Sequence, residues 1–225
     1  MTVTLMNISR GEDIEAESLR IIDSELPEPR PHQGAEWAIV RRLIHTTADF
    51  EMASLTRFHP RAVSAGIAAL KAGCLILTDT EMARAGMTPR RLTPFGVEVK
   101  CFQGDATVAA RAQAEGITRS RAAVDLAVER IAAVSGGPRP VIWAIGNAPT
   151  ALIRLLEHVE AGRANPALVI GMPVGFVNAA ESKALLLAQA GGPSIAPYIA
   201  IEGRKGGSAM AAATVNALAI LAAQG

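Results

Sequence analysis

Aromatic side chains are scarce in this chain: five Phe, two Trp and one Tyr among 225 residues. No basic stripe interleaved with aromatics is present for bases to stack on, and a net charge of +1 gives no general pull toward phosphate backbones. Nucleic-acid binding is therefore excluded as the main activity. Lysine is short as well. Only Lys71, Lys100, Lys183 and Lys205 occur, and none follows a glycine, so a P-loop GxxxxGK[ST] is ruled out. The dinucleotide fingerprint GxGxxG and the nucleophile elbow GxSxG are missing too. The two cysteines, Cys74 and Cys101, lack the number and spacing of a zinc site or a disulfide framework, and read as buried free thiols of a reducing compartment. The four histidines have no metal-like spacing. The first thirty residues carry seven acidic side chains and no apolar core of a signal peptide. The longest uncharged stretch, 206–225, is too polar to span a membrane. The expectation is a cytoplasmic protein with no membrane partner.

What is present is apolar: 50% of residues are hydrophobic and 19% charged, which suits one globular domain. Five short apolar runs read as strands, 73–78, 96–102, 140–145, 167–171 and 198–201, and most are nearly continuous in Val, Ile, Leu and Ala. Strands buried on both faces have that pattern. Helical spacing fills the intervals, as in Val124, Ala127, Val128 and Ile131, or Leu152, Leu155, Leu156 and Val159. Two further helices, about 12–26 and 36–50, come before the first strand and are joined by a Pro-rich connection over 26–33. The expectation is a single α/β domain over 1–225: a three-layer α/β/α core at 61–225, with a mostly parallel five-stranded sheet, and an N-terminal helical extension at 1–60.

Ligand sites in such sheets gather where the strands end. Gly146–Thr150 there reads as a strand end, Asn147 as helix cap and Pro149 in the first turn, an arrangement able to hold an anion or simply a strand-to-helix turn. Gly203–Ser208 adds Arg204 and Lys205 to flexible glycines, with Ser208 as a cap for the last helix; it is an anion site or a solvated basic turn. At Gly116–Arg121, Thr118 or Ser120 caps a helix and Arg119 opposes its dipole, which suits a carboxylate ligand or a solvated Arg. Arginine dominates the basic residues, 18 against four Lys. The excess fits bidentate carboxylate or phosphate contacts, and it fits the codon usage of a GC-rich genome, to which 43 Ala also point.

Among the histidines, His32 and His59 read as loop residues and His158 as a solvated helix residue. His45 differs. Arg42 lies three residues before it and Asp49 four after, one helix face on which a cation lowers its pKa and a carboxylate fixes its tautomer or raises its pKa. Such an imidazole can move a proton, although a helix-face His can also be structural. Ser18 falls on the Ile14–Ile22 face of the first helix, where its hydroxyl needs a partner or bonds its own helix.

Six stretches now carry a resemblance: RLIHTTADF at 42–50, GCLILTD at 73–79, GITRS at 116–120, GNAPTAL at 146–152, PVGFVNAAESK at 173–183 and GRKGGS at 203–208. Together, in order along nearly the whole chain, they resemble the precorrin-8X methylmutase (precorrin isomerase) family and its cobalt-pathway counterpart. The resemblance implies an isomerase of corrin-ring synthesis, in cobalamin biosynthesis. It would move a methyl group from carbon 11 to carbon 12 of precorrin-8X to give hydrogenobyrinate, with no cofactor and no metal of its own. It places the catalytic proton transfer on His45. The polycarboxylate tetrapyrrole would be lined by Ser18, Arg42, Arg119, Ser120, Asn147, Ala148, Thr150, Lys183, Arg204, Lys205, Gly206 and Gly207. It also implies a homodimer with shared active sites. Asn178 stands where many relatives carry Gly, and Gln103-Gly104-Asp105 is atypical. From other classes, a tetrapyrrole carrier without turnover would not need His45, and a nucleotide-dependent enzyme lacks its fingerprints.

Overall fold

A computed structural model describes residues 10–26, 28–133, 139–188 and 196–224. Pro27, inside the Pro-rich connection, lies outside them, as do the first nine residues and Gly225. Six strands form one sheet in the order β1-β6-β5-β4-β2-β3. They are β1 (Thr56–Phe58), β2 (Leu75–Thr78), β3 (Glu98–Cys101), β4 (Val141–Ile145), β5 (Leu168–Gly171) and β6 (Tyr198–Ile201). β2 to β6 run parallel, and β1 pairs antiparallel with β6, Thr56 opposite Ile201. The five expected strands are all present, and the expected count is corrected by one. β1 has three residues, one of them Arg57, so it is too short for any apolar pattern. β4, β5 and β6 are buried along their whole length, which is why they read as unbroken apolar runs.

Helices cover both faces. One face carries α2 (Gly34–Thr47), α4 (Ala62–Lys71), α5 (Glu81–Gly86) and α11 (Ser208–Gln224); the other carries α8 (Arg119–Ala132), α9 (Pro149–Glu160) and α10 (Ala179–Ala188). α7 (Ala106–Glu115) flanks α8. The short α3 (Met52–Leu55) and α6 (Pro89–Leu92) complete the set. α11 is enclosed almost all round, consistent with its uncharged sequence.

α2 belongs to the core. Ile39, Val40, Leu43 and Ile44 are at most 1% exposed, and each such burial stabilises by about 1.5–3 kcal/mol. α1 (Gly11–Glu25) lies on α2 and is tied to it through Asp23, which accepts from Trp37 Nε1 at 2.9 Å and Arg41 at 2.6 Å. Cys74 is buried, and burial pushes its thiol up to about 11; Cys101 is only half-buried because β3 is an edge strand. Among the described residues no helix is long and apolar enough to cross a membrane.

Candidate active site

His45 sits in the last turn of α2, which ends at Thr47 because Ala48 turns left-handed at φ 52°. Its Nδ1 lies 2.7 Å from Ser18 Oγ on α1. Ser18 therefore meets the imidazole and does not bond its own helix. One turn earlier on both helices, Arg42 donates to Glu15 at 2.5 Å. That bond is the main reason the Glu15 carboxyl lies below its ordinary pKa. Asp49, expected on the same face as His45, is instead carried past the helix end and accepts from the Lys205 ammonium. This bond, together with the backbone N–H of Glu51, holds the Asp49 carboxyl below its ordinary value. The tautomer partner of His45 is thus a hydroxyl and not a carboxylate.

Around this pair opens a cleft of about 470 Å³, lined by Ile14, Ile21, Ile22, Ile44 and Phe50, with Ser18, His45, Glu17 and Glu25 as polar groups. Its walls are mainly apolar, as in most small-molecule sites. Among the described residues Nε2 of His45 has no hydrogen-bond partner. A hydroxyl can donate to Nδ1 or accept from it, so Ser18 is compatible with either tautomer, and Nε2 can give a proton or take one.

The strand ends build a rim beside this cleft. Ala48 and Phe50 line the cleft, and Asp49 between them bonds Lys205, so the β6–α11 loop stands at its mouth. Lys205 also pairs with Glu51. Arg204 lies over the Phe176 ring at 5.5 Å, and both are exposed. Gly206 lies so close to the β5 loop that an added Cβ would stand 2.2 Å from the Met172 carbonyl oxygen, and Gly207 N–H donates to that oxygen at 2.9 Å. Arg119 is exposed at the start of α8, where Thr118 is the cap. Ser120 accepts from Gln103 Nε2 at 3.2 Å, and Thr150 Oγ1 meets Thr118 Oγ1 at 2.8 Å. Asn178 adopts φ 60°, a left-handed conformation that Asn tolerates better than most residues.

Several expectations change here. Asn147 is not the cap of α9; Ala148 holds that position. The N–H groups at this helix start, which read as an anion site or a plain strand-to-helix turn, are filled from within the chain. Asp79 accepts from the backbone N–H groups of Gly146 at 3.0 Å, Asn147 at 2.8 Å and Ala148 at 2.6 Å. Burial raises the Asp79 carboxyl, and these three donors pull against that rise. Lys183 is fully buried, and its ammonium donates to the Lys205 carbonyl at 2.6 Å, so it reaches the loop from behind instead of facing a ligand. Ser208 opens α11 and bonds Thr80 Oγ1 at 2.8 Å. His158 is not solvated: it is 6% exposed, its Nε2 lies 2.6 Å from Asp125, and Arg163 donates to its Nδ1 at 2.9 Å. Of the expected site cations, Arg42, Lys183 and Lys205 are engaged within the chain; Arg119 and Arg204 have no carboxylate partner among the described residues. Asp79 lay inside a quoted motif without a role. Its place directly after a buried strand was the only available signal.

The sequence model of the precorrin-8X methylmutase family matches residues 13–221. The cobalt-precorrin-8 methylmutase of Salmonella typhimurium is 43% identical, over 94% of this chain and 95% of its own. That of Leptospira interrogans is 40% identical over 95% of each. The crystal structure of the precorrin-8X methylmutase from Thermus thermophilus superposes with a TM-score of 0.83 at 46% identity, covering 95% of this chain and 97% of that one. With so much of its length matched, the chain belongs to the precorrin-8X methylmutase family.

Proposed function

We propose that this chain is an isomerase of cobalamin biosynthesis that moves a methyl group from carbon 11 to carbon 12 of precorrin-8X, giving hydrogenobyrinate. The observation that carries the reading is the Ser18–His45 pair on the wall of an apolar cleft, with Nε2 of the ring unpartnered among the described residues. In the reaction the bond from carbon 11 to the methyl breaks and the bond from carbon 12 to the methyl forms. The atomic composition does not change, and no oxidant or reductant is needed. The protein's task is to select one tautomer of the macrocycle and to hold it. His45 Nε2 gives or takes the proton near ring C, while Ser18 adjusts its own proton at Nδ1. The apolar walls around ring C exclude water, which strengthens that hydrogen bond.

The substrate carboxylates fall to the rim. Arg204 and Arg119 are the first choices because neither has a carboxylate partner among the described residues, whereas Arg42 and Lys205 would have to exchange internal partners. Thr150, Ser120, Asn147 and the Gly206-Gly207 backbone are neutral groups along the same rim. Ring C enters the cleft of about 470 Å³ beside His45. The rest of the macrocycle lies over the rim, and a second copy of the chain covers it, making the active unit a homodimer. The exposed Phe176 and Val177, 83% and 78% accessible, support that cover.

The test is incubation with metal-free and with cobalt-loaded precorrin-8, followed by visible absorption, with sedimentation to count chains. Conversion of either supports the isomerase and assigns its route. Tight binding of both without conversion would leave a carrier instead.

A further inference from the structure

Asp79 and Thr80 follow β2 directly, and each reaches a different neighbouring loop. The Asp79 carboxylate is 6% exposed and gathers the three N–H groups of Gly146, Asn147 and Ala148, sixty-seven to sixty-nine residues away. A carboxylate is well suited to three converging donors at a helix start, since its charge also meets the positive end of α9. Thr80 Oγ1 caps α5 by accepting from Ala83 N–H at 3.1 Å and also meets Ser208 Oγ at 2.8 Å. The two loops so gathered touch one another. A Cβ added at Gly146 would stand 2.7 Å from Ser208 Cα and 2.8 Å from the Gly207 carbonyl oxygen, so the backbones are in closest packing there. Gly207 in turn donates to Met172, and Gly175 N–H donates to Arg204 at 3.2 Å, which brings in the β5 loop.

We propose that Asp79 and Thr80 are positioning residues: one clasp that fixes the spacing between the Gly146–Thr150 turn and the Arg204–Ser208 loop, and so between the two groups of rim contacts that take the tetrapyrrole. Its bearing on turnover rests on the isomerase reading; the clasp itself does not. Neither side chain touches the substrate. Each acts through a loop whose Asn147 and Thr150, or whose Gly206-Gly207 backbone, does. A macrocycle with carboxylates around its edge senses such spacing at several points at once, so a loosened clasp weakens binding more than it slows the chemistry at His45.

Asp79→Asn keeps the shape but places an amide N–H₂ against one of the N–H donors. Thr80→Val keeps the shape and removes the hydroxyl, while Thr80→Ser restores it. Losing a charge-assisted bond of this kind corresponds to roughly a tenfold to hundredfold effect. Asp79→Asn is expected to raise KM for precorrin-8 by about that factor, Thr80→Val by about threefold to tenfold, and Thr80→Ser is expected to return the native value. The turnover number stays near native in all three. Amide exchange by mass spectrometry supplies the second readout: Gly146–Ala148 and the Gly207–Ser208 segment should exchange faster in Asp79→Asn, with α2 unchanged. A lowered melting temperature with native KM would make the pair structural only and overturn the proposal. If the native protein converts no precorrin-8 at all, the isomerase reading falls, and exchange still decides the clasp: native protection in Asp79→Asn overturns it. Should Asp79→Asn not fold, Thr80→Val and its Ser rescue carry the same KM comparison.

Discussion

His45 and His158 both sit on helices and both have a hydrogen-bonded ring, yet they are opposites. His158 is 6% exposed and both of its nitrogens are occupied. A guanidinium can only donate, so Nδ1 accepts from Arg163 and the ring proton lies on Nε2, donated to Asp125. Arg154 donates to the same carboxylate at 2.6 Å and closes the network. That ring has one tautomer and nowhere to send a proton. His45 has a hydroxyl on one nitrogen and an open cleft at the other. An aspartate beside an imidazole is often taken as a sign of catalysis, but here the carboxylate marks the structural histidine, and the serine marks the one we propose moves the proton. What separates them is the free nitrogen.

The largest effect that would break this contrast comes from His45→Ala. Positioned acid–base groups contribute about 10²–10⁴-fold, so conversion of precorrin-8 should fall by that factor. The fold should hold, because the ring is only partly buried against α1 and lies outside the apolar core. Native-rate conversion by this variant, followed by absorption, would remove the proton-transfer role.

Asp125→Ala attacks the other side. It leaves His158 and Arg154 without their shared acceptor, and breaking a buried pair costs about 3–5 kcal/mol. At roughly 2–4 °C per kcal/mol the melting point should drop by at least about 6 °C, with conversion per folded molecule unchanged. The pH profile has the same origin. Burial alone would raise the Asp125 carboxyl, but its bonds to Arg154 and His158 overcome that and hold it below the ordinary value. A carboxyl depressed on folding adds stability above its unfolded pKa, and that stability is lost as pH falls through the folded one. The native protein should therefore lose stability at acid pH more steeply than Asp125→Ala does, as urea titrations at several pH values can measure.

Ser18→Ala is a finer probe. The imidazole stays, but Nδ1 loses the group that adapts to either tautomer. Losing one neutral hydrogen bond is worth about 0.5–1.5 kcal/mol, or up to roughly tenfold in rate. Ser18→Thr retains the hydroxyl and should recover most of it. A Ser18→Ala variant as impaired as His45→Ala would mean that the hydroxyl and the ring work as one unit, and that the hydroxyl is no mere adjunct to the imidazole.

How far these roles were legible follows from the physics of each. β4, β5 and β6 announce themselves because both faces are covered, leaving no polar position to break the run. β1 does not, since an edge strand of three residues pairs through backbone alone. His45 was legible as a helix-face imidazole near Arg42, but its partner was not, because Ser18 lies 27 residues away and meets it only by helix packing. His158 was misread for a related reason. The apolar stripe of α9 at Leu152, Leu155, Leu156 and Val159 leaves position 158 off the face toward the sheet, and there α8 with Asp125 covers it. Periodicity reports the apolar side of a helix and is silent about a second, polar contact. Asp79 was hidden in the same way, by donors more than sixty residues distant.

Lys183 extends the contrast to a buried cation with no carboxylate. It is as enclosed as His158, but its ammonium meets only the Lys205 carbonyl among the described residues, and burial lowers its pKa to about 8. An unfolded lysine titrates near 10.5, so between about pH 8 and 10.5 the unfolded chain holds a proton that the folded one has released. Burying the charge therefore counts fully against folding below pH 8, and the penalty fades as pH rises through that window. Stability measured from pH 7.5 to 10 should climb by the contribution of this group, and Lys183→Met should flatten the climb. The Met chain fills the same space, but the carbonyl loses its donor, so the β6–α11 loop is expected to exchange its amides faster in that variant while α1 and α2 keep their native protection. If the alkaline rise is the same in both proteins, the ammonium is better compensated than its one visible bond allows, and the buried cation would then resemble His158 more than it differs from it.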